Sequence, residues 1–274
     1  MPQSLHPPRA RPATPILVQF SHANGFPAPC YRTLFDRLGA DLRIGYLDRI
    51  GHDPRFPVTD GWGNLVDELI HAVERRRTQP VLGIGHSLGG FLTAIAAARR
   101  PELFRGIILL DAPILGRFQG STMQFAKRIR LIDRVTPAGS ARTRRREWPS
   151  REDALAHFRH RGVFAKFDPT CVEDYVRFGL VDHAHGVRLW FDPDIETRIY
   201  RTIPHDVARS VEGLRVPAGF IGGRDSALVK QVGLRITRRL FHVALIPGGH
   251  HFPFQVPELA AAAIRRMAQE LGAL

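Results

Sequence analysis

A serine hydroxyl is a weak nucleophile unless a fold activates it, and the stretch VLGIGHSLGGFLTAIAA (81–97) has the pattern of such a fold. Ser87 stands two residues from Gly85 and two from Gly89, with β-branched and apolar residues before it and an alanine-rich, helix-forming run after it. Gly-x-Ser-x-Gly at a strand-to-helix turn holds the serine in a sharp, strained conformation that lifts its hydroxyl above the sheet. Glycines are needed because strand and helix pass too close there for side chains. A helix opening at Leu88 aims free N–H groups and the positive end of its dipole at the same spot, ready for an oxyanion. The matching chemistry is attack of Ser87 on an acyl carbonyl, which needs a base within hydrogen-bond reach and an acid to orient that base. His250 and His251 in IPGGHHFPFQVPE compete as base. Asp225 in IGGRDSAL and Asp111 in GIILLDAP compete as acid, each ending an apolar run.

The elements that must position these groups follow from the pattern. Apolar runs at 16–20, 42–47, 81–84, 106–111, 217–223 and 242–247 read as buried strands. Helical patterns at 31–38, 64–77, 88–99, 228–239 and from Pro257 onward separate them. Continuous apolar strands alternating with helices predict an α/β fold, a three-layer sandwich whose mostly parallel sheet is covered on both faces. Between Asp111 and Ser210 the alternation stops and helix signals replace it. Ser150 precedes REDALAHF as a cap, Thr170 with Glu173 fits a capping box closed by Gly179, and GVRLWFD (186–192) suits a short strand. The expected organisation is a disordered, proline-rich leader (1–15), a core from 16–111 and 211–274, and an inserted, mainly helical lid (112–210).

With the elbow, the acid and histidine candidates and this alternation, the chain resembles the α/β-hydrolase superfamily over roughly 16–111 and 211–270. Its serine, acid and histidine also come in the superfamily's chain order. The resemblance implies an oxyanion hole formed by the backbone N–H groups of Leu88 and of Phe26 in FSHANGFPAPCY (20–31). His22 then braces that loop or is an ordinary turn residue. In the superfamily the catalytic histidine stands about seven residues before the proline that opens the last helix. That spacing from Pro257 selects His250 and leaves His251 in a slot for a bulky packing residue. The acid usually follows the strand that includes Ile221, which favours Ser87–Asp225–His250; some members place it one strand earlier, which keeps Asp111 as the alternative. Two departures stand out. The N-terminal region is too short for the superfamily's first two strands, so about six strands are expected, and LDRIGHDPRFPVTDGW (47–62) keeps Asp48 and Gly51 of a familiar turn and then diverges.

Composition narrows the classes. The chain has 274 residues, 44% hydrophobic and 24% charged, as expected of a globular protein. No apolar run reaches the roughly 20 residues of a membrane span, and a cytoplasmic location is expected. Cys30 and Cys171 are far apart in sequence and read as free thiols. The net charge of +13 is almost entirely arginine, without zinc-finger spacing or an aromatic RNA-binding signature, so no nucleic-acid partner is expected. The run RTRRRE (142–147) reads as a solvated basic face, with steering of anionic substrates as its alternative. DHAH (182–185) reads as an exposed loop and GHSLGG lacks the lysine of a phosphate-binding loop, so no metal and no cofactor are expected. The expected function is hydrolysis of a carboxylic ester in a small acyl substrate, through an acyl-enzyme at Ser87 with His250 as general base. Thioester or carbon–carbon bond hydrolysis on the same triad, or non-catalytic binding of a small ligand, are the alternatives.

Overall fold

A computed structural model describes residues 15–76, 78–116, 121, 133 and 136–274. The proposed leader, but for Pro15, and much of 117–135 lie outside these residues. Six parallel strands form one sheet: β1 (Ile16–Ser21), β2 (Leu42–Tyr46), β3 (Val81–His86), β4 (Phe104–Leu110), β8 (Ala218–Gly223) and β9 (His242–Ile246), in the order β2-β1-β3-β4-β8-β9. All five neighbouring pairs are parallel, and the central β3 is buried along its whole length. This is the three-layer α/β arrangement expected from the apolar runs, and no helix among the described residues is long and apolar enough to cross a membrane.

Helices cover both faces. Leu65, Leu69, Ala72 and Val73 of the helix Gly63–Arg76 recur at helical spacing and are buried, as is almost the whole of the helix Leu88–Arg99. Full burial of one such aliphatic side chain contributes about 1.5–3 kcal/mol, so these stripes fix the helices on the sheet. The helix expected at 228–239 is instead two short ones, Ala227–Val232 and Arg235–Leu240. Gly233 separates them at φ +73°, a left-handed conformation that ends a helical run.

Between β4 and β8 the described chain is not wholly helical. It carries short helices and an antiparallel sheet of three strands, in the order β5 (Glu147–Trp148), β7 (Gly186–Leu189) and β6 (Leu180–His183). Ser150 caps the helix Arg151–Arg159, its hydroxyl accepting from the Asp153 N–H. The next cap is not the Thr170–Glu173 box: Asp168 accepts from the Thr170 N–H, and Pro169 opens Pro169–Phe178. A carboxylate directly before a proline already makes a complete helix start. Gly179 ends that helix, as its place in the sequence suggests.

Candidate active site

Parallel strands end together, and the chemistry-bearing residues gather at the C-terminal ends of β3, β4, β8 and β9, where open α/β sheets bind ligands. Ser87 follows β3 directly, at φ +52°, and its N–H donates to the Leu110 carbonyl (2.9 Å). The elbow glycines are obligatory by contact. A Cβ on Gly85 would lie 2.2 Å from the Gly89 carbonyl oxygen, and one on Gly89 would lie 2.0 Å from the Ser21 carbonyl oxygen.

The Ser87 hydroxyl is 3.0 Å from His250 Nε2, and His250 Nδ1 is 2.7 Å from Asp111 Oδ2. Asp111, fully buried at φ +47° directly after β4, also accepts from the Gly223 N–H (2.8 Å) and the Ser226 hydroxyl (2.6 Å). Three donors thus fix the orientation of this side chain. With Asp111 accepting, His250 carries its proton on Nδ1 and presents a lone pair at Nε2 to the serine.

Asp225, the favoured acid in the sequence, is not part of this chain. It sits exposed in the turn after β8, its N–H bound to the Gly248 carbonyl (2.9 Å). The Ser226 N–H closes that turn on the Gly223 carbonyl (3.1 Å). The turn brings Ser226, one residue later, to the sheet end, where its hydroxyl supports the carboxylate from the neighbouring strand. His251 is a packing residue, with its ring 5.0 Å from Phe26 and 5.7 Å from Phe167. Its Nδ1 has no partner among the described residues, and burial pushes its pKa well below that of a free imidazole.

The oxyanion loop also differs from expectation. The Phe26 N–H donates to the Ala23 carbonyl (3.1 Å), closing a turn that Gly25 makes possible at φ +79°. That N–H is therefore spent. The Ala23 N–H goes to the Tyr31 hydroxyl (3.1 Å), whereas the backbone N–H groups of Asn24 and Leu88, both lining the cavity, have no acceptor among the described residues. His22 does brace the loop: Nδ1 donates to the Ala23 carbonyl and Nε2 accepts from the Ile50 N–H, both at 2.8 Å. Burial lowers its pKa to about 4 and keeps it neutral near pH 7.

One connection escaped sequence reasoning. The Tyr31 hydroxyl donates to His86 Nδ1 (2.7 Å), and His86 Nε2 donates to the backbone carbonyl of His250 (2.9 Å). His86 is fully buried, which, with the nearby His250, lowers its pKa to about 3. Its position directly before Ser87 was the available signal; its partners lie 55 and 164 residues away in the chain.

These groups open into a cavity of about 1140 Å³. The sheet side contributes Ser87, Leu88, Phe91 and His250, and the β4–β8 segment contributes Trp148, Phe158, Phe164, Ile199 and Ile203. Arg144 lines it as well, and is not the solvated residue its basic run suggests: its guanidinium donates to Glu196 Oε2 and the Tyr175 hydroxyl, both at 2.8 Å.

The family model described as alpha/beta hydrolase matches residues 20–263. This chain belongs to the alpha/beta hydrolase family. Among curated relatives, the type I acyl-CoA thioesterase mpaH of Penicillium roqueforti is 26% identical over 187 residues, 62% of this chain and 41% of that protein. Human monoglyceride lipase is 29% identical over 129 residues, 44% of this chain and 43% of the lipase. The match thus spans about two fifths of each relative's length. Among solved structures, an E-2-(acetamidomethylene)succinate hydrolase superposes with a TM-score of 0.75 at 18% identity, covering 94% of this chain and 92% of that one. A thioesterase domain from the curacin biosynthetic pathway gives 0.68 at 17% identity, covering 92% and 91%. Both likenesses concern the fold.

Proposed function

We propose that this hydrolase cleaves carboxylic esters of a small acyl substrate by acyl transfer through Ser87. His250 takes the serine proton at Nε2 as the hydroxyl oxygen attacks the carbonyl, and Asp111 stabilises the resulting imidazolium through Nδ1. The developing oxyanion is held by the backbone N–H groups of Leu88 and Asn24. His250 then protonates the leaving group and afterwards activates a water that releases the acid. The segment 112–210 serves as a lid whose aromatic residues shape the acyl cavity. The observation that carries this reading is the pair of bonds on His250, 3.0 Å to Ser87 and 2.7 Å to Asp111, at a glycine-made elbow.

Ser87→Ala provides the test. Its turnover of a p-nitrophenyl ester should fall by on the order of 10⁶, together with loss of fluorophosphonate labelling and an unchanged melting temperature. A variant that keeps a tenth of the activity overturns the assignment, and an unlabelled wild type makes the chain a ligand-binding protein. A second reading, thioester hydrolysis by the same steps, is favoured by the relative named an acyl-CoA thioesterase, and a paired oxygen-ester and thioester assay separates the two.

A further inference from the structure

The cavity's charge is lopsided. Among the described residues, the charged side chains in its lining are Arg144, Arg145, Arg161 and Glu196, and Arg144 is already paired with the glutamate. Other arginines of this region are also matched by carboxylates: Arg146 by Asp194 (2.8 Å), Arg151 by Asp182 (2.9 Å) and Arg159 by Glu173 (3.2 Å). Arg145 and Arg161, the two remaining in the lining, have no carboxylate partner among the described residues. Among the described residues Arg145 spends only Nε–H, on the Glu147 carbonyl (2.8 Å), and lies 5.5 Å from the Trp148 ring centre, with the outer edge of its fork unpaired there.

Both cations belong to the lining around His157: Arg145 lies over the Trp148 ring, and Arg161 follows His157 by four residues. His157, also in the lining, packs against Trp148 with ring centres 5.5 Å apart. Its pKa is lowered by burial first, then by the charges of Arg161 and Arg145. Two like charges facing one imidazole at the edge of an apolar space repel each other, and an anion between them removes that repulsion. A guanidinium fork is shaped for a carboxylate or phosphate.

The path from there to the reacting serine is apolar. Phe26, in the loop that follows β1, is followed by Phe164 (5.8 Å between ring centres), Phe158 (4.6 Å) and Trp148 (5.0 Å), with Arg145 beyond. This wall suits an extended hydrocarbon chain and ends at positive charge.

We propose that Arg145 and Arg161 form a subsite for an anionic group, carboxylate or phosphate, carried by the substrate at the far end of an apolar chain from the scissile carbonyl. The inference deepens the proposed function and takes Ser87 as the point of cleavage. The anion belongs either to the acyl half, as in a dicarboxylic half-ester, or to the leaving half, as in a phosphorylated thiol.

Binding to Ser87→Ala, read by calorimetry, tests the subsite without requiring turnover. The probes are mono-p-nitrophenyl suberate against p-nitrophenyl octanoate, and octanoyl-coenzyme A against octanoyl-N-acetylcysteamine. At least one anionic probe should bind ten times more tightly than its neutral partner, and the pair that does so identifies which half carries the charge. Arg145→Gln/Arg161→Gln should erase the preference, Arg145→Lys/Arg161→Lys should keep most of it, and Arg239→Gln, which removes one exposed charge outside the cavity, should leave it intact. Added salt should weaken the anionic probe alone, a check that needs no arginine variant to fold. Equal affinities within both pairs, or an equal loss in Arg239→Gln, overturn the subsite. Failure of wild-type protein to react with fluorophosphonate overturns the proposed chemistry and leaves the binding result to be judged separately.

Discussion

On the sheet side of the cavity, Ser87, Asp111 and His250 each stand within four residues of a strand's end, and the backbone sets their places. On the opposite side, Arg144, just past the helix Ala138–Thr143, meets Glu196 and Tyr175 of two other helices through side chains alone. The sheet side tolerates strain, with two non-glycine residues at positive φ, because strand pairing over-determines it. The covering side has no such frame. Its shape depends on a buried ion pair and on aromatic packing, so the same kind of substitution should damage rate on one side and stability on the other.

The largest contrast is between the two aspartates. Asp111→Asn keeps the shape but favours the wrong imidazole tautomer, and kcat should fall about 10⁴-fold. Asp225→Asn, in an exposed turn, should stay within twofold; ester kinetics on both variants that reversed this order would move the acid to the neighbouring strand. On the covering side, Arg144→Met leaves Glu196 buried without its partner, at a cost of about 3–5 kcal/mol. The melting temperature should drop by roughly 6–20 °C, and Arg144→Met/Glu196→Met should recover much of it. A full loss of activity with unchanged melting would show that this pair belongs to the chemistry.

Ser226→Ala removes one hydrogen bond to the ionised Asp111, worth about 1.5–3 kcal/mol. The expected result is a kcat about 10- to 100-fold lower, with little change in KM.

His251→Phe tests the packing role through pH. The folded pKa of His251 lies below its unfolded value, so below about pH 6.5 the unfolded chain takes up a proton that the folded chain refuses. Its stability contribution is full above that pH and is lost as pH falls, by about 1.36 kcal/mol per unit. Phenylalanine has no such term. Denaturant unfolding should therefore show the variant gaining on wild type as the pH falls from 8 to 5, and a pH-independent difference would contradict the assignment.

Much of the sheet side was legible because local sequence dictates it. Gly85, Ser87 and Gly89 specify the elbow within five residues, and counting back from Pro257 selects the histidine that meets the serine. The choice of aspartate failed because Asp111 and Asp225 both close apolar runs that become adjacent strands. Only the path of the turn after Gly223, which turns Ser226 inward and leaves Asp225 in solvent, separates them. Phe26 was displaced for a similar reason: a four-residue turn consumes its N–H, and nothing but the φ of Gly25 hints at it. The covering side was least legible. Arg144 sits in a run of like residues, and its partners lie 31 and 52 positions away, so no spacing rule could lift it out of the basic face.

The hydrogen-bonded line from Ala23 through Tyr31 and His86 to the His250 carbonyl joins the loops that follow β1, β3 and β9. A tie of this kind holds the three loops in one arrangement, so a shift of any of them is felt at Ser87 and His250. The segment between β4 and β8 takes no part in that line, so a substitution there can reshape the cavity without moving the loops beneath it.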